Sequence, residues 1–86
     1  ELMYVDIPRE INATDTSQGW SENGQKLVIT GTIYQLDGKT PAPNVIMYYW
    51  HTNQNGLYAD KKGLHQKAKP HGYLRGWIKT DQNGKY

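Results

Sequence analysis

The residues richest in chemistry lie in one stretch, YYWHTNQNGLYAD, from Tyr48 to Asp60. Three adjacent aromatic residues lead into His51. An amide-rich run follows, and Gly56-Leu57-Tyr58 closes the stretch. The sequence has no cysteine, so disulfides and thiolate metal sites are excluded. Any metal must then be held by His, Tyr, Asp or Glu. There are seven tyrosines and three tryptophans but no phenylalanine. Every large ring therefore carries a polar group that needs a partner when buried. Two readings of the stretch stay open at this level. It is either the end of a core strand, with the Tyr58 hydroxyl in water, or the delivery of a metal ligand.

The other candidate groups read more plainly. His51 directly follows Trp50, and strand alternation sends the two to opposite faces. His51 is therefore expected to be a hydrogen-bonded residue near a strand end. Lys61, Lys62, Lys67, Lys69 and Arg75 form a positive cluster in sequence. Such a cluster can steer an anionic substrate, but a solvated loop is the simpler reading, for His65 and His71 as well. Trp50 and Trp77 are expected in the core, with Met47 as core filler.

The elements that must position these residues are β-strands. Lys26–Gln35, KLVITGTIYQ, is β-branched or aromatic and alternates loosely. Asp37-Gly38 signals a tight turn, and Pro41 and Pro43 forbid a central strand there. Val45–Thr52, VIMYYWHT, is apolar on both faces, as for a strand covered on both sides. Residues 53–71 read as a long polar loop. Tyr73–Thr80, YLRGWIKT, is the last strand, and Asn83-Gly84 is a hairpin turn. The expected division is an irregular lead-in over 1–25 and a β domain over 26–86. Three strands and a stub cannot close a two-layer sandwich. The sequence thus reads as the front part of a larger β domain, and association through exposed strand edges, including with a second copy, is expected.

Composition removes several function classes. A formal charge of +2 and the absence of a binding motif argue against nucleic acid as a partner. No apolar run reaches the length of a membrane span, so no membrane partner is expected. Localisation is not read from this sequence.

The order of a strand, DGKTPAPN, YYWHTNQNGLY, a loop and LRGWIKTDQNGKY resembles the intradiol ring-cleavage dioxygenases, the catechol and protocatechuate dioxygenase group. The resemblance covers roughly Lys26 to Tyr86. It implies an all-β fold, here a partial β-sandwich lacking its C-terminal strands. It also implies one non-haem Fe(III) bound by two tyrosines and two histidines. The first tyrosine ligand of the family lies in Gly-x-Tyr and carries over to Tyr58. The second tyrosine and a His-x-His pair follow the hairpin in the family. None of His51, His65 or His71 stands in such a pair. No catalytic residue and no substrate-binding residue is assigned.

The chemistry suits the residue type. Ferric iron is hard and favours anionic oxygen donors. A free phenol titrates near about 10, but a bound cation keeps it ionised. The implied partners are a small aromatic diol of the catechol type and dioxygen, which the family inserts between the two hydroxyl-bearing carbons. The 86 residues alone are expected to be inactive, because one donor of four is present. Two other readings stand beside this one. The chain could be a non-catalytic β-sandwich module presenting Trp20, Tyr58 and Tyr73 to a sugar, or an interaction protein that works through its edges.

Overall fold

The computed structural model describes residues 2–86. A 3-10 turn, η1 (Leu2–Tyr4), precedes strand β1 (Ile46–Trp50), a 3-10 helix η2 (Gln66–His71) and strand β2 (Arg75–Lys79). The structure is strand and irregular chain with no α-helix among the described residues, in keeping with the all-β expectation.

β1 and β2 pair antiparallel, with Ile46 opposite Lys79, Tyr48 opposite Trp77 and Trp50 opposite Arg75. Backbone bonds carry the pairing past the strand ends, from His51 N to Leu74 O at 3.0 Å and from Asn44 N to Thr80 O at 3.0 Å. Both strands thus lie where β-branched and aromatic content placed them. The side-chain period of two puts Tyr48, Trp50, Arg75 and Trp77 on one face, and Tyr49, Gly76 and Ile78 on the other. Gly76 is the partner that Tyr49 requires. A Cβ at 76 would stand 2.5 Å from the Tyr49 hydroxyl, so only glycine lets the ring lie across the opposing strand.

The core is small. Ala68, Leu74 and Ile78 are its buried apolar side chains, and burying Leu74 and Ile78 stabilises by about 2 kcal/mol each. Buried Thr80 locks the turn before β1. Its hydroxyl donates to Ala42 O at 2.7 Å and accepts from Val45 N at 2.9 Å. β1 itself is not covered on both sides. Ile46 and Trp50 are exposed, and the three residues between them are half-buried.

The expected strand at 26–35 forms only in its second half. Thr32 bridges to Lys85 and Tyr34 to Pro41. Gly31 and Tyr86 exchange two backbone bonds, each 3.1 Å. Leu27, Val28 and Ile29 are 74%, 77% and 68% exposed, and no backbone hydrogen bond reaches residues 26–30 among the described residues. Strand propensity reflects packing against neighbours, and these three side chains have none here.

The lead-in is irregular, as expected, yet it is fastened to the hairpin. Tyr49 donates to Asp15, Ser17 Oγ lies 2.7 Å from His51 Nε2, and Tyr73 donates to Glu22. Further back, Leu2 and Met3 offer carbonyls to Arg75 and Trp77 at 2.9 and 2.7 Å. Asn12 O accepts from Lys79 N at 2.8 Å on the outer edge of β2.

Candidate functional site around Tyr58

Tyr58 sits on a loop braced before and behind it. Before it, Asn53 Oδ1 accepts from Asn55 N at 2.9 Å and from Leu57 N at 3.1 Å. The Asn53 carbonyl takes Gly56 N at 3.0 Å, and Asn53 N donates to Leu57 O at 2.8 Å. This is the local turn that asparagine side chains build, and it needs the positive φ of 76° at Gly56. Behind it, Ala59 O accepts from Tyr73 N at 2.9 Å. Buried Gly72 is pressed against the same peptide. A Cβ there would come within 2.9 Å of the Tyr58 carbonyl carbon and of Ala59 O, and the residue holds φ at 78°. Glycine meets both demands at once. The Tyr58 side chain itself is 53% exposed, and its hydroxyl has no hydrogen-bond partner among the described residues.

The seat behind Tyr58 is the end of η2, which shortens the loop expected over 53–71. His65 Nδ1 opens η2 by accepting from Lys67 N at 3.1 Å. Ala68 is fully buried, and Gly72 N closes η2 onto Ala68 O and Lys69 O at 3.2 and 3.1 Å. Lys69 pairs with Asp60 at 3.5 Å, which adds a weak exposed tie.

His71 fastens η2 to the sheet. Its ring stacks on Trp50 with centroids 3.8 Å apart and planes 5° apart. Its Nδ1 lies 2.8 Å from the Tyr48 hydroxyl, which in turn accepts from Arg75 Nε at 2.8 Å. The Tyr48 oxygen thus sits between the Arg75 guanidinium and the His71 ring. Burial, and then the Arg75 cation, push the His71 pKa below its ordinary value.

Arg75 is the residue that the sequence reading misplaced. It is 5% exposed and belongs to β2, not to a solvated loop cluster. Its guanidinium lies 4.6 Å from the Trp77 ring and 5.1 Å from the Tyr48 ring. Cation–aromatic contact and hydrogen bonds compensate for its lost hydration. The signal was available in YLRGWI, where one charge interrupts an apolar strand. Of the lysines, Lys61, Lys62 and Lys69 line one open surface depression with Asp60, where Lys61 lies over Tyr73 and Lys69 pairs with Asp60.

On the opposite face, His51 is hydrogen-bonded near the strand end, as expected. Nε2 meets Ser17, and Nδ1 lies 2.7 Å from Thr52 O. Tyr49 is bound to Asp15; burial first, then the Asp15 bond and charge, drive its pKa well above the tyrosine range. The core assignment of Trp50 is corrected. Trp50 is 43% exposed, because its ring covers His71 at the sheet surface. Met47 is half-buried, and Trp77 is half-buried with its Nε1 bound to Met3 O. Of the three rings in the sugar-binding alternative, Tyr73 is already engaged by Glu22 and Lys61.

For a hard cation the donor set is clear. Tyr58 is an accessible oxygen on a braced backbone, and it fits as one anionic donor for Fe(III). The described residues hold no group of three or more His, Asp or Glu arranged to bind a metal.

Fold and site together define an all-β protein with an exposed tyrosine phenol on the braced loop that follows its aromatic strand. Residues 4–86 match the family described as Dioxygenase. The chain is 36% identical over 87 residues to the catechol 1,2-dioxygenase of Acinetobacter baylyi (strain ATCC 33305 / BD413 / ADP1), an alignment covering 99% of this chain and 26% of that protein. It is 38% identical over 66 residues to catechol 1,2-dioxygenase 2 of Acinetobacter lwoffii, covering 77% of this chain and 22% of that one. For catechol 1,2-dioxygenase 1 of the same organism the identity is 37% over 67 residues, covering 76% and 20%. No solved structure matches the chain. The chain belongs to the intradiol ring-cleavage dioxygenase family, and it spans about a quarter of the length of the curated relatives it matches.

Proposed function

We propose that these residues form part of an intradiol ring-cleaving dioxygenase, with 26–86 as the front of its β-sandwich and 1–25 as the lead-in. In this reading Tyr58 supplies one phenolate to a non-haem ferric ion, and the substrate is a small catechol-type diol with dioxygen as co-substrate. The carrying observation is the Tyr58 hydroxyl, exposed and without an internal partner on a backbone fixed from both sides. Ferric iron, when bound, makes the diol reactive toward dioxygen, so that the ring opens between its hydroxyl-bearing carbons.

The chain's own residues do the positioning. Tyr58 would hold the ferric ion through its exposed phenolic oxygen. Asn53 and Gly56 fix the direction of approach, while Ala59, Gly72 and Tyr73 fix its depth. The other donors belong, in this proposal, to segments of the full-length enzyme beyond these residues. The names of the relatives support the substrate class.

The test is Tyr58→Phe in the full-length enzyme loaded with ferric iron. Removing one oxygen while keeping the ring should weaken iron binding by about tenfold or more. It should also alter the visible tyrosinate-to-iron band and abolish most ring cleavage. Tyr49→Phe, whose hydroxyl faces Asp15 on the other side of the sheet, should leave the colour intact. Unchanged colour and turnover in Tyr58→Phe would show that the phenolate donor is another tyrosine.

A further inference from the structure

We propose that His71 is a positioning residue for Tyr58, carrying a hydrogen-bond relay from buried Arg75 through Tyr48 into the seat of the Tyr58 peptide. The proposal rests on the reading of Tyr58 as a metal ligand.

Each link is short and directional. Arg75 Nε donates to the Tyr48 hydroxyl at 2.8 Å, and that hydroxyl is hydrogen-bonded to His71 Nδ1 at 2.8 Å. Arg75 is itself fixed between the Tyr48 and Trp77 rings and by Leu2 O at 2.9 Å. The far side of the imidazole stacks on Trp50 at 3.8 Å. The ring of His71 is therefore held in orientation by Tyr48 and in plane by Trp50. The next residue is Gly72, whose Cα abuts the Tyr58–Ala59 peptide, and the one after it is Tyr73, whose N–H binds Ala59 O. Rotation of His71 moves the residues that set the depth of Tyr58. A metal ligand held by partners of its own tunes the metal through them. Here the partner acts on the backbone of the ligand, because its hydroxyl is left free. Helix η2 is too short to hold itself, so its anchor at His71 decides where its end lies.

The test uses the full-length enzyme with two variants that preserve ring shape. His71→Phe keeps a flat ring on Trp50 but cannot hydrogen-bond to Tyr48. Tyr48→Phe keeps its ring between Arg75 and Trp50 but has no hydroxyl to relay. In the metal-free protein, exchange of the Tyr73 amide should accelerate by about tenfold in both variants while the Thr80 and His51 amides of the hairpin stay protected. In the iron-loaded protein, both variants should shift the visible band and lower kcat by about tenfold, with KM changed less than about twofold. His71→Asn, which puts an amide oxygen near the Nδ1 position, should recover part of the band position. A Tyr73 amide exchanging at the parental rate, a band unshifted in both variants, or equal acceleration across the hairpin amides would overturn the proposal. The ligand reading fails separately, through an unchanged band in Tyr58→Phe.

Discussion

On one face of the β1–β2 hairpin a cation lies between aromatic rings; on the other a carboxylate grips a phenol. Arg75 sits between Tyr48 and Trp77 with no acidic partner among the described residues, and the lead-in meets that face with the backbone carbonyls of Leu2 and Met3. Asp15 and Ser17 meet the other face through side chains, gripping Tyr49 and His51. Among the described residues the apolar core is Ala68, Leu74 and Ile78, so the polar atoms of the rings take over much of the fastening. The comparison teaches that one small sheet can be held by two chemistries that fail under different conditions. The cation face depends on ring geometry and on a neutral histidine. The carboxylate face depends on a phenol keeping its proton.

Removing the cation should be the largest single disruption. Arg75→Ala deletes a buried side chain that fills the space between two rings, and it should cost about 3 kcal/mol in urea denaturation. Arg75→Met keeps the volume and loses the charge; about 1 kcal/mol of destabilisation is expected from the cation–aromatic contacts. A methionine variant as stable as the parent would show that packing alone holds this face.

Gly76→Ala attacks the other face by volume. Its Cβ would stand 2.5 Å from the Tyr49 hydroxyl, so the ring must leave Asp15 at a cost of about 1–3 kcal/mol. In a Tyr49→Ala background the same substitution should cost less but not nothing, because Asp15 Oδ2 also stands against the added Cβ, and a double-mutant cycle measures the difference.

pH separates the faces without any volume change. The Tyr49 pKa is raised above the ordinary 10.0, so the folded state keeps this proton longer than the unfolded one. Its stabilisation is full below pH 10 and is lost as pH rises above that. His71 is shifted the other way, below 6.5, so the folded state binds fewer protons. Its contribution is present above pH 6.5 and is lost as pH falls below it. Melting temperatures across pH should show an alkaline decline that Tyr49→Phe flattens and an acid decline that His71→Phe flattens. An alkaline decline that survives Tyr49→Phe would assign it to other groups. The smallest effect belongs to Ser17→Ala, which removes the exposed bond to His51 and the bond from Gly19 N and should cost about 0.5–1 kcal/mol.

Local chemistry was legible in the sequence, and long-range fastening was not. Strands at 45–52 and 73–80 could be read because Met47–Trp50 and Trp77–Ile78 carry β propensity between clear turn signals. The turns could be read as well. Asp37 caps Lys39 and Thr40, and Asp81 caps Asn83 and Lys85, each through its carboxylate. Leu27–Ile29 show the same propensity without a neighbour to satisfy it. The lead-in was unreadable for a different reason: Asp15 and Ser17 each reach a partner 34 residues away, and no local pattern encodes such a pairing. Tyr58 could be named from its motif, but the seat beneath it could not. That seat depends on one run, from η2 through Gly72 to Arg75, being packed against the Tyr58–Ala59 peptide and against Tyr48 and Trp50 of β1.

The carbonyls of Leu2 and Met3 find their donors 73 and 74 positions later, on Arg75 and Trp77. This fixes an order of assembly. Pairings of such high sequence separation are slow to form, and synthesis proceeds at about 5–20 residues per second. For several seconds on the ribosome the η1 segment has nothing to dock on, and its apolar side chains are open to chaperones. Arg75 and Trp77 lie on β2 itself, so η1 can dock only once that strand has been made.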